Sequence, residues 1–167
     1  MFCVNDYVVY GSEGVCRIEE IGHPDIAGLD RQKSYYTLSP VYRHGKIYTP
    51  VDSTILMRKV ITKNQAEELI GGISEIESDL DVPKDAKLAN VFYRELVRSY
   101  ECRKLISVIK YVFEKQREFA LIKKNMPAVD MKFFKIAEDM LYNEFGFALG
   151  IDPKEVKGYI AACCEKA

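Results

Sequence analysis

The fold class predicted by this sequence is α+β in two parts. A small, strongly bent β-sheet or barrel occupies residues 1–61, and an all-helical segment of about five helices occupies residues 62–167. Three observations predict it. Six of the eleven tyrosines (Tyr7, Tyr10, Tyr35, Tyr36, Tyr42 and Tyr48) lie in the first part, among Val and Ile runs broken by Gly and Pro. From Thr62 onward apolar residues recur with the helical period. Two strong helix-start signals, Thr62-Lys63-Asn64-Gln65 and Asp152-Pro153-Lys154-Glu155, fall in the second part only.

Taken in order, Asp6-Tyr7-Val8-Val9-Tyr10 forms a first strand, ended by Gly11 and Gly14. Val15 to Ile21 forms the next, with Cys16 and Ile18 on one face and Arg17 and Glu19 on the other. Tyr35-Tyr36-Thr37-Leu38 follows, and Lys46-Ile47-Tyr48-Thr49 comes after the turn His44-Gly45. Four or five short strands in some sixty residues favour a bent sheet or small barrel. Thr62 then caps a helix that Gly71-Gly72 ends. Leu88, Val91, Phe92 and Leu96 predict the apolar face of a second helix, with Phe92 in the core. Leu105, Ile109 and Val112, with Ile106 and Phe113 beside them, mark a third. Met126-Pro127 interrupts, because proline cannot continue a helix. A fourth helix carries Phe133, Ile136, Ala137, Met140 and Leu141 and stops near Gly146 to Gly150. The fifth follows Asp152 and buries Val156, Ile160 and Cys163.

Hydrophobic residues are 48% and charged residues 29%, the composition of an ordinary globular chain rather than a disordered or membrane-spanning one. No apolar run approaches the roughly 20 residues that span a bilayer, and the N-terminus reads as no secretory signal. Five cysteines, two of them adjacent (Cys163-Cys164), make no disulfide framework and point to a cytoplasmic setting. The net charge of −1 conceals a pattern: zero over 1–61, −5 over 62–83, +7 over 84–135 and −3 over 136–167. A basic block of that contrast can serve as an electrostatic footprint.

Signs of catalysis are missing. His23 and His44, the only histidines, stand in predicted turns with no nucleophile pattern around them. Gly11-Ser12-Glu13-Gly14 precedes a strand rather than a helix, so it is no phosphate loop. No Cys-x-x-Cys pair suggests zinc. The expectation is a non-enzyme with no cofactor, no metal and no small-molecule substrate.

One set of motifs says more. Asp6-Tyr7-Val8-Val9-Tyr10-Gly11, Glu13-Gly14-Val15 and Arg17-Ile18-Glu19-Glu20-Ile21 are followed by Ile26-Ala27-Gly28 and Tyr35-Tyr36-Thr37-Leu38. Ile47-Tyr48-Thr49-Pro50-Val51-Asp52 and Met57-Arg58-Lys59-Val60-Ile61 complete the series. In order and spacing these pieces resemble the CarD/CdnL family of bacterial RNA-polymerase-binding transcription regulators. That family shares its N-terminal module with the transcription-repair coupling factor. The helical part agrees more loosely, chiefly over Met126 to Leu149.

The resemblance implies a Tudor-like, SH3-like module over 1–61 that docks on a lobe of the polymerase β subunit. Edge-strand pairing suits such docking, and the strand Lys46 to Thr49, closed by Pro50, is the candidate edge. The expected polymerase contacts are Arg43, Lys46, Ile47, Tyr48 and Thr49. The resemblance further implies that the helical domain, 62–167, meets promoter DNA at the edge of the melted bubble and modulates open-complex stability. Lys84, Lys87, Arg94, Arg98 and Lys115 are the expected phosphate contacts, giving affinity without sequence readout. The family inserts a tryptophan as a wedge there. This chain has no tryptophan; an ungapped comparison puts the missing residue near Ala86, and Tyr93 is the first candidate to replace it. The alternative reading is a protein-interaction module that binds polymerase or another partner without contacting DNA. No membrane partner is expected.

Overall fold

In the computed structural model, which describes residues 1–166, the chain divides between Ile61 and Thr62 into two compact units. The first unit is a five-stranded antiparallel sheet, β1 (Tyr7–Tyr10), β2 (Gly14–Gly22), β3 (Tyr35–Pro40), β4 (Ile47–Pro50) and β5 (Met57–Lys59). The spatial order is β4-β3-β2-β1-β5, leaving β4 and β5 as the edges. The second unit holds five α-helices, so the α+β, two-part class is as expected.

Alternation decides which face of the sheet is dry. Val8, Tyr10, Cys16, Ile18, Tyr36 and Leu38 form one buried cluster, with Phe2, Ile47, Val51 and Met57 packed on it. Arg17 and Glu19 point to solvent, as the period-two pattern of β2 requires. The register between β2 and β3 shifts between Ile18 and Glu20, a bulge of the kind that bends a strand. The sheet curls far enough for Tyr10 of β1 to donate its hydroxyl hydrogen to Thr49 Oγ1 of β4 at 3.0 Å, although β2 and β3 lie between them in the sheet order.

The helices are α1 (Lys63–Gly71), α2 (Ala86–Arg98), α3 (Cys102–Leu121), α4 (Ala128–Leu149) and α5 (Pro153–Glu165). Both predicted start signals are complete capping boxes, Thr62 with Gln65 and Asp152 with Glu155. Helix α4 packs against each of the other four and is the centre of the unit. It runs through Gly146 to Leu149 and ends at Gly150, whose φ of 71° supplies the left-handed cap. Gly146 is required by proximity: a Cβ there would lie 3.0 Å from the Ile151 carbonyl oxygen and the Pro153 nitrogen.

Three helix-face expectations are corrected. The buried stripe of α2 is Ala89, Tyr93 and Val97, while Leu88 and Val91 are 60% and 49% exposed and Phe92 is half-buried. On α3 the buried set is Cys102, Leu105, Ile106, Val108 and Val112, and Phe113 is exposed. On α5 only Val156 is fully buried; Ile160 and Cys163 are half-buried. On both α2 and α3 the stripe that packs is the one set by their contact with α4.

Candidate interaction surfaces

Strand β4 pairs on one side only, through Tyr35–Pro50, Tyr36–Thr49, Thr37–Tyr48 and Leu38–Ile47, with its other side at the sheet edge. Its side chains alternate as the pleat dictates. Ile47 packs on the core cluster and Thr49 is buried in its bond from Tyr10, whereas half-buried Tyr48 projects from the other face beside Thr37. Two cations flank the strand, each held by a carboxylate: Lys46 to Glu19 at 3.0 Å and Arg43 to Glu13 at 3.4 Å. The hydrogen bond that the Lys46 ammonium donates to Glu19 raises its pKa above the ordinary value. The edge is short, four residues, and closes at Pro50, which bounds how much of a partner strand it can pair.

In the helical unit Lys84, Lys87, Arg94 and Arg98 are exposed. Arg94 donates to Asn90 Oδ1 at 2.8 Å, and no ion pair among the described residues involves any of the four. Lys87 and Arg94 border a groove of about 560 Å³ between α2 and the start of α4, whose far side contributes Lys132. Lys115 is placed differently. Its ammonium binds Oδ2 of buried Asp130 and lies 5.6 Å and 5.5 Å from the Tyr111 and Phe119 ring centres. Oδ1 of the same carboxylate accepts the Tyr93 hydroxyl at 3.0 Å, and Tyr93 stacks on Phe133. Tyr93 is fully buried, so it cannot act as a wedge, which corrects that expectation.

Residues 2–61 match the family described as CarD-like/TRCF RID domain. The β unit is a CarD-like/TRCF RID domain. Such domains are RNA-polymerase-interacting modules, and the match over this unit supports a transcription-related role with a polymerase partner. The match ends where the helical unit begins, and no curated protein matches the chain.

Within the RID domain the buried groups are structural. Cys16 lies at the centre of the sheet, and burial, followed by the charge of Glu13, pushes its thiol up to about 11. A thiol so protonated is a poor nucleophile and metal ligand. Among the described residues no group of three His, Cys, Asp or Glu side chains is placed to hold a metal, and no helix is long and apolar enough to cross a membrane. His23, just past the end of β2, donates its Nδ1 hydrogen to the Lys33 carbonyl oxygen at 2.9 Å.

Two features escaped the sequence. Lys132 carries no mark that sets it apart from the other basic residues; only the packing of α4 on α2 brings it opposite Lys87 and Arg94. Asp130 looked like one acid in a basic block, yet it is 1% exposed and joins α2, α3 and α4 through Tyr93 and Lys115.

Proposed function

We propose that this chain is a non-catalytic, cytoplasmic transcription regulator that docks on the polymerase β subunit through the free edge of β4 and modulates open-complex stability. The observation that carries the reading is an unpaired edge strand in a domain of the RNA-polymerase-interacting family. Backbone pairing with a partner strand supplies affinity, and Tyr48, with Lys46 and Arg43 beside it, supplies the outward side chains that set specificity. Ile47 and Thr49 act from behind, holding the strand on the sheet. The exposed cations Lys84, Lys87, Arg94 and Arg98 contact DNA phosphates, while Lys115 serves the fold through Asp130.

A pull-down with purified polymerase core, competed by the isolated β lobe, tests the docking. Tyr48→Pro removes the backbone donor that β4 turns to its open side, since Ile47 and Thr49 direct theirs to β3, and is expected to weaken capture by about tenfold or more, the loss of one or two ladder bonds. Undiminished capture by a folded Tyr48→Pro chain places the interface elsewhere on the RID domain. Failure of the wild-type chain to bind any polymerase subunit removes the proposal.

A further inference from the structure

The groove between α2 and the start of α4 carries more than charge. Its floor is aliphatic, built from Ala86, Val91, Ala128 and Val129, and Lys87, Arg94 and Lys132 stand around it. No ion pair among the described residues satisfies any of these three cations; Lys132 lies over the Phe133 ring at 5.2 Å and Arg94 bonds only Asn90. The face is concave, and the α2 aromatics turn away from it, Tyr93 into the core and Phe92 edge-on against Tyr93 at 6.0 Å.

A ligand for this surface must offer repeated negative charge together with an apolar face. Lys87, Arg94 and Arg98 lie within about 40° of one another around α2 and form a row roughly 16 Å long. That row suits a repeating anion better than the isolated carboxylates of a peptide. Duplex DNA would use the cations alone, because its bases are stacked inside and cannot cover the floor. A single strand offers a phosphate at every nucleotide and bases free to lie on apolar surface. We infer that this groove binds an unpaired, single-stranded segment of nucleic acid, with a base on the aliphatic floor and the backbone along Lys87, Arg94 and Lys132. The inference rests on the DNA-contact reading above and specifies which form of the nucleic acid is held.

Fluorescence anisotropy on the full chain, at one fixed salt concentration, tests it with three labelled probes. These are an oligo-dT strand, a duplex of the same length and a glutamate- and leucine-rich peptide. The single strand is expected to bind about fivefold more tightly than the duplex, the gain from covering a modest apolar floor. Val91→Gln combined with Ala128→Gln fills and polarises the floor at two exposed positions while keeping every cation. It should bring single-strand affinity down to the duplex level. Lys132→Gln should weaken single-strand binding several-fold at that salt concentration. A strand bound no more tightly than the duplex, or a preference that survives the double Gln variant, overturns the inference while leaving DNA contact standing. Binding of neither DNA removes the DNA reading and the inference together. A peptide bound more tightly than either DNA assigns the groove to a protein partner and overturns it as well.

Discussion

Asp130 shows how one buried carboxylate is made tolerable. A lone ionised acid in a helical core is costly, yet here Tyr93 and Lys115 occupy one oxygen each. The arrangement leaves a mark on Tyr93, whose phenol is pushed well above its ordinary value of 10.0, first by burial and then by the Asp130 charge. The folded state therefore favours the protonated phenol, and its contribution is complete below pH 10 and lost as pH rises above it. Once the unfolded phenol ionises, the helical unit should lose about 1.4 kcal/mol per pH unit from this group. Tyr93→Phe removes the titration, so its denaturant midpoint, measured from pH 9 to 11.5, should fall less steeply than that of wild type. Parallel slopes for the two proteins would show that Tyr93 ionises normally.

Among the elements, the connector between α1 and α2, with one short 3-10 turn at Ile73–Glu75, is tied to α3 by side chains. The Lys110 ammonium donates to the carbonyls of Ile73 at 3.0 Å, Ser74 at 3.2 Å and Ile76, and Ser78 donates to the Glu114 carboxylate at 3.2 Å. Lys110→Met keeps the apolar stem and removes all three donors. Hydrogen exchange over residues 73–84 should accelerate by about tenfold or more, because local opening no longer breaks charge-assisted bonds. Exchange in α4 should be unchanged. Equal protection of the connector in the variant would mean that its apolar contacts suffice. The same elements show why helix faces were harder to read than helix ends. Caps are local, and Thr62 and Asp152 made theirs as expected. The buried stripe of α2 depends on where α4 lies, and nothing near Leu88 or Ala89 in the sequence encodes that.

For the whole molecule, each unit has its own buried core, Ile18 and Leu38 in one and Leu105, Leu141 and Phe145 in the other. Residues 1–61 and 62–167, expressed separately, are each expected to give a cooperative thermal transition. A fragment that stays unfolded alone would show that it depends on the other unit. The charge pattern is also a property of the whole chain. Replacing Lys84, Lys87 and Arg94 by Gln together should lower the slope of log affinity against log salt for duplex DNA by about 2–3. An unchanged slope would make these cations solvated surface, and the chain would then act through polymerase alone.

The sequence by itself determined the class of each half, the junction near residue 61, the helix starts and the RID resemblance. These follow from short-range signals: period, caps, turn residues and ordered motifs within about sixty residues. It also picked out the segment around Ile47 as an edge through the position of Pro50. Tertiary structure alone decided that Thr49 turns inward to Tyr10, that Tyr93 is buried and that Lys115 belongs to Asp130. It also decided that Lys132 stands across a groove from Lys87 and Arg94. The physical reason is common to all four. Whether a side chain is spent on the fold or left to a partner depends on which distant residue packs against it, and those separations run from fifteen to some forty-five positions along the chain.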